Sequence, residues 1–250
     1  MRLGRSACDS LFSLFFPAEC RICQKPIEPI TPVPVCPDCL QAPQPYRGVE
    51  CVRCGLFLQG PAALHGTLDC GLCRRGTFVF EQARSFAPYE GILQALIQRL
   101  KYDGYRPLAK PLGRFLAEAV RRLDAQPFDL TVPVPLHRRR QRQRGFNQAA
   151  LLAAQVAPLL GTPPGNKDCV RVRDTPPQTG LRAAARRKNV AGAFHVPEPQ
   201  RIEGRRVLLI DDVLTTGATA NSCAQALLDA GAQGVWVATL ARAHVAKVDV

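Results

Sequence analysis

The 250-residue chain predicts an α/β protein, a mostly parallel sheet flanked by helices with a small cysteine-rich unit ahead of it. Three observations carry that prediction. Beyond residue 80, short aliphatic runs alternate with amphipathic stretches of helical period, the pattern of strands joined by helical crossovers. Eight of the eleven cysteines form four C-x-x-C pairs, all before residue 75. The apolar fraction, 46%, supports a real core at this length.

Residues 1–80 hold nine of the eleven cysteines and nine of the 22 prolines, with little helical periodicity. Such a segment cannot bury enough apolar surface to fold unaided and needs an internal staple. The pairs are Cys20/Cys23, Cys36/Cys39, Cys51/Cys54 and Cys70/Cys73. A C-x-x-C turn holds two thiolates one tetrahedral edge apart, and two turns close a four-thiolate shell, which predicts two structural Zn2+ sites. Sequential pairing of the turns is simplest, and a crossed arrangement uses the same cysteines. A redox C-x-x-C opens a helix directly after a strand, and no pair here reads that way. Cys8, Cys169 and Cys223 fall outside the pattern and read as core thiols, with His65 a loop residue. The composition change sets the expected division, residues 1–80 as a double zinc-ribbon domain and 81–250 as the α/β domain.

From Glu90 the periodicity is helical. Ile92, Leu93, Leu96, Ile97 and Leu100 share one face, and Leu108, Leu112, Phe115, Leu116, Ala119, Val120 and Leu123 make a second, longer helix. Leu130–Pro135 reads as a strand ended by its last proline. Asn147 is an N-cap for a helix running to about Leu160, where Gly161 stops it. Cys169–Arg173 alternates like a strand, whereas Asp174–Asn189 has no period. Val207–Ile210 is a buried strand, Thr219–Ala230 a helix closed by Gly231, and Val235–Leu240 a last strand.

Net charge is +13, and between His137 and Lys188 twelve Lys and Arg meet only Asp168 and Asp174. A basic block this local implies a polyanionic partner, with a solvated charged face as the plainer alternative. No run reaches the ~18 to 20 apolar residues of a bilayer span. Leu11–Phe16 is shorter than a signal-peptide core, so a cytoplasmic protein without membrane insertion is expected.

Two constellations carry chemistry. In VLLIDDVLTTGAT, Val207–Thr219, an aliphatic strand meets Asp211 and Asp212, then a turn leading into a helix. Ligands of open α/β sheets bind where strands end. The amides of the turn and the helix dipole suit one phosphate, Gly217 allows close backbone approach, and Thr215, Thr216 and Thr219 add hydroxyl donors. Adjacent carboxylates can accept hydrogen bonds from a vicinal diol, and a ribose 5-phosphate carries both groups. In VPVPLHRRRQRQRGFNQ, Val132–Gln148, a loop beyond Pro135, Leu136 and His137 carries Arg138, Arg139, Arg140, Arg142 and Arg144. Guanidinium forks match pyrophosphate oxygens.

The thirteen residues resemble, position for position, the phosphoribosyl pyrophosphate (PRPP) signature of type I phosphoribosyltransferases. Leu100–Gly104 (LKYDG), VPVPL…RGFNQ, the series Gln178, Leu181, Arg186, Asn189, Ala193, Phe194, and the four cysteine pairs occur in the order found in the ComF/GntX family, whose pattern nearly the whole chain resembles. The resemblance implies a type I phosphoribosyltransferase-like core that binds PRPP through Asp211, Asp212, Val213, Thr215, Thr216, Gly217, Ala218 and Thr219, with Asp211 and Asp212 as catalytic carboxylates. It implies a pyrophosphate loop at Pro135, Leu136, His137, Arg138 and Arg144, and transfer to an unnamed acceptor with departure of pyrophosphate, helped by Mg2+. It also implies a role in DNA uptake. The unpatterned stretch is a lid candidate, with Arg186, Arg187 or Lys188 reaching the leaving group, and the cysteine unit with Phe86–Tyr105 is the hood candidate. The competing class is a non-catalytic PRPP sensor or a single-stranded-DNA-binding competence factor. For the latter, Phe146 and His137 are the only rings in the basic block, so phosphate contacts would dominate.

Overall fold

The computed structural model describes residues 18–27, 33–58, 69–125, 127–174 and 192–243. Strands β1 (Ala18–Glu19) and β2 (Pro26–Ile27) pair antiparallel around the first cysteine turn. Short helices α1 (Pro37–Gln41) and α2 (Gly71–Arg74) start directly after Cys36 and Cys70. Next come β3 (Gln82–Pro88), α3 (Gly91–Tyr102), α4 (Ala109–Arg121), β4 (Leu130–Pro133), α5 (Arg138–Arg144), α6 (Gln148–Leu160), β5 (Val170–Arg171) and β6 (Phe194–His195). The chain closes with β7 (Arg206–Leu214), α7 (Ala218–Asp229) and β8 (Gly234–Arg242).

Four strands form one sheet in the order β3-β8-β7-β4, every pair parallel. Side chains alternate across a strand, and the two central strands are apolar on both faces. Leu208, Ile210, Ala238 and Leu240 pack with Leu93, Leu96, Leu100, Leu112 and Leu116 of α3 and α4. Val207, Leu209, Val235 and Val237 pack on the other face with Ala220, Cys223, Ala224 and Leu227 of α7. Helix α6 lies beside α4. Asn147 caps α6 as the sequence predicts: its Oδ1 accepts from the Ala149 amide (3.0 Å) and its Nδ2 donates to Val134 O (3.0 Å), fixing the helix start to the end of β4.

Four segments differ from the sequence reading. Strand β3 was not expected, because QARSFAP lacks an aliphatic run. Its polar residues are buried against partners from elsewhere: Gln82 bonds Asp124 (2.6 Å) and Val52 O, and Ser85 shares a 2.7 Å bond with Thr239. Arg84 meets Glu50 at 3.3 Å, and Arg122 grips the same carboxylate. The arginine run expected as a loop is helix α5, capped by His137, whose Nδ1 accepts from the Arg139 amide, and ended at Gly145. It buries no residue, so no apolar period marks it. The expected Cys169–Arg173 strand shrinks to β5, which pairs antiparallel with β6 outside the main sheet. Finally, β7 does not stop at the carboxylates. It pairs onward through Asp211↔Thr239 and Val213↔Ala241 to Leu214, because β8 supplies ladder partners that far.

Candidate functional site

The alternation along β7 sends the two adjacent carboxylates to different sides of the sheet. Asp212 turns toward α3, where Lys101 Nζ lies 2.8 Å from its Oδ2, both side chains nearly buried. Asp211, half-buried, turns toward Cys223 of α7 and Arg171 of β5 and holds the Asp212 amide through Oδ1 at 2.8 Å. Burial, then the neighbouring charge of Asp212, pushes Asp211 up to about 8, with Lys101 pulling the other way. Burial opposes the Lys101 charge, but Asp212 and then Asp211 outweigh it and its pKa rises.

Beyond Leu214 the chain turns through Thr215, Thr216 and Gly217 into α7, so Val213, Ala218 and Thr219 flank the cradle expected for a phosphate. Gly217 is the residue before the helix, with φ 78°. A Cβ there would sit 2.6 Å from Phe78 Cε1, so both conformation and contact demand glycine. The Ala218 amide reaches Thr216 Oγ1 at 3.5 Å. The first amides of any helix lack intrahelical acceptors, and here they face the carboxyl edge of the sheet beside Asp211. A cleft of about 300 Å3 starts at Thr216 and Ala218 and runs along α7 between Phe78 and Phe194.

Helix α5 stands at the same edge, since it follows β4 after Pro135 and Leu136. Arg138, Arg139 and Arg142 are exposed. Arg139 and His137 lie 3.6 and 3.4 Å from Asp174. Arg144 bonds Gln148 Oε1 (2.6 Å) and stacks over Tyr102, whose ring is 70% exposed. Phe146 is buried under Arg106 and is not a stacking surface. Of the lid residues, Arg186, Arg187 and Lys188 lie outside the described residues.

The cysteines assemble sequentially: Cys20, Cys23, Cys36 and Cys39 bring their sulfurs within 4.8 Å of one another, and so do Cys51, Cys54, Cys70 and Cys73. Amides point at the sulfurs as in metal knuckles, Cys36 N to Cys20 Sγ and Cys70 N to Cys51 Sγ, both at 3.3 Å. Four thiols this close cannot all ionise without a cation. Hydrogen bonding from Cys54 lowers Cys51 to about 5, while Cys51 pushes Cys54 up. Each tetrad therefore suits one tetrahedral thiophilic ion such as Zn2+. The two sites belong to different cores, the first packing with α3 and α4 and the second with Phe78, Phe80 and the α7 face. Gly55, φ 63°, lets the second knuckle approach β3, where a Cβ would come within 2.5 Å of Ala83 O.

Lys101, Tyr102 and Arg242 make contacts at these sites that sequence reasoning did not assign. Arg242, 1% exposed at the end of β8, donates to Cys54 O at 3.1 Å and points at Cys54 Sγ. Burial lowers its pKa, against the attraction of the tetrad sulfurs. The one available signal was Lys101 and Tyr102 standing together in LKYDG.

Residues 146–250 match the phosphoribosyl transferase domain family. DNA utilization protein YhgH of Salmonella typhimurium is 35% identical over 233 residues, 92% of this chain and 99% of the relative. Competence protein F of Haemophilus influenzae is 36% identical over 200 residues, 77% and 84% of the two chains. Competence protein ComFC of Bacillus subtilis is 27% identical over 228 residues, 90% and 88%. The likeness reaches well beyond the domain match into the cysteine-rich part. The chain belongs to the ComF/GntX family, in which a phosphoribosyltransferase domain is carried with paired cysteine turns.

Proposed function

We propose that this protein binds PRPP with Mg2+ and transfers its phosphoribosyl group to an acceptor, releasing pyrophosphate, in the service of DNA uptake or use. One observation supports the reading above others: a carboxylate pair at the carboxyl edge of a parallel sheet, followed directly by a glycine turn and a helix N-terminus. A 5-phosphate in the Thr215–Thr219 cradle would turn the ribose hydroxyls toward Asp211, the carboxyl group on the cradle side. Pyrophosphate then lies toward α5, where Arg138 and Arg144 meet a concentrated negative charge. Mg2+ would screen that charge as the C1–oxygen bond breaks, and the chain's own task is to position the ribose and phosphates. Zn2+ is assigned to both cysteine tetrads as a structural ion.

Isothermal titration with PRPP and Mg2+ tests the ligand. Saturable binding is expected, with loss of at least tenfold in affinity in the Asp211→Asn, Asp212→Asn double variant. Absence of binding at millimolar PRPP removes the reading. Pyrophosphate release on adding candidate bases then separates a transferase from a sensor.

Tyr102 favours a second role on the same edge. An exposed ring stacked with Arg144, on the helix that also carries the exposed Arg138, Arg139 and Arg142, gives single-stranded DNA a stacking partner on an element that offers phosphate contacts. DNA binding with a steep salt slope, weakened by Tyr102→Ala and indifferent to Asp211→Asn, is the expected signature.

A further inference from the structure

The carboxylate pair is not symmetric, and Lys101 makes the difference. An aspartate side by side with another, facing a ligand that carries several negative charges, is an electrostatic liability. Near a protein surface, like charges several ångströms apart repel strongly enough to weaken the binding of an anion. In this chain α3 inserts Lys101 against Asp212, at 2.8 Å and away from solvent. Asp212 is 3% exposed. Its oxygen is thus committed inside the protein, whereas Asp211 keeps access from the α7 side, where the cradle lies.

We infer that Lys101 is a positioning residue of the sugar-phosphate site: its ammonium fixes Asp212 inward, cancels the Asp212 charge that a polyanionic ligand would otherwise meet, and leaves Asp211 as the carboxyl group offered to the ribose. This rests on the PRPP reading for the identity of the ligand, but the charge relation between the three side chains does not. Among the described residues, the groups facing the pair are Lys101 and Tyr89 from the α3 side, and Cys223 and Arg171 from the α7 side. Lys101 is the cation in contact with it. Arg171 acts on Asp211 through space from β5, and burial lowers its pKa. The sequence hint is the lysine of LKYDG, which stands three turns into an amphipathic helix on an otherwise apolar face, among Leu93, Leu96, Ile97 and Leu100. A buried lysine there has no packing rationale. Its partner is the reason for its presence.

The proposal separates the two aspartates, which a symmetric clamp would not. Asp211→Asn should lose far more PRPP affinity than Asp212→Asn. Lys101→Met should lose roughly ten- to hundredfold, the effect of one uncancelled charge at this range, and Lys101→Arg should keep affinity within about threefold because it keeps the cation. Because Lys101→Met leaves Asp212 buried and unpaired, the double variant Lys101→Met, Asp212→Asn is the control that folds: if Lys101 acts through Asp212, the double variant binds PRPP as Asp212→Asn does. The same variants are titrated without ligand by carbon-detected NMR of the Asp211 carboxyl. Removing the Lys101 charge should move that titration to higher pH, and restoring it with arginine should move it back.

A Lys101→Met affinity equal to wild type, equal losses in the two single Asn variants, or a lysine effect that persists undiminished in the Asp212→Asn background would each overturn the proposal. If wild-type protein binds no PRPP, the ligand reading falls. The NMR titration still decides whether Lys101 governs the pair, and an Asp211 midpoint unmoved in Lys101→Met rejects that as well.

Discussion

Burial, then the neighbouring charge of Asp212, pushes Asp211 up to about 8 in the ligand-free protein, and that has a thermodynamic consequence. The folded state keeps this proton up to about pH 8, while the unfolded chain releases it in the ordinary carboxylate range. The contribution of Asp211 to stability therefore falls as pH rises through that window and is level above it. Asp211→Asn imitates the protonated form at every pH. The melting temperature of the variant relative to wild type should climb between pH 5 and 9, and a constant difference would mean that Asp211 is already ionised at pH 5. Glu50 joins an ion-pair network. Its carboxylate lies between Arg84 and Arg122, and both arginines lose an ion-pair partner if it goes. Glu50→Ala is expected to cost about 3 to 5 kcal/mol in chemical denaturation, since it strands a nearly buried Arg84. A loss under 1 kcal/mol would demote the triad to surface decoration.

At the scale of elements, the apolar periods of α3, α4, α6 and α7 and the aliphatic runs of β7 and β8 were legible because packing alone decides them. The elements that were not legible are those whose residues answer to distant partners. Strand β3 hides Gln82, Arg84 and Ser85 by bonding them to Asp124, Glu50 and Thr239, and no local pattern announces such pairs. Helix α5 is an arginine run with nothing to bury, so its first cap, His137, was read as part of a loop. For the site, the strand-turn-helix at Val207–Thr219 was readable from spacing, while the inward commitment of Asp212 needed the fold to carry Lys101 to it. Two caps convert this into predictions. Asn147→Ala removes two bonds joining α6 to β4 and should cost about 1 to 2 kcal/mol, measured by urea denaturation. Gly217→Ala forces a left-handed alanine against Phe78; we expect PRPP affinity to drop at least tenfold with a smaller loss of stability, the reverse of the Asn147→Ala outcome.

Over the whole molecule, the two cysteine tetrads belong to different hydrophobic cores, and Arg242 reaches the second from the end of β8. Arg242 pairs in register with Leu214, the last residue of β7 before the cradle. With a dianionic metal–tetrathiolate beside it the buried guanidinium is neutralised, and with metal-free thiols it is a stranded cation. Two single variants should divide the molecule. Cys39→Ser and Cys73→Ser are each expected to halve the bound metal, but only Cys73→Ser should weaken PRPP binding in proportion to metal lost, as followed by titration calorimetry beside metal analysis. Equal effects from the two would disconnect Arg242 from the cradle. Were Cys73→Ser to act as expected, the supply of thiophilic metal would set how much of the protein holds its cradle in shape, even with the chain itself made in full.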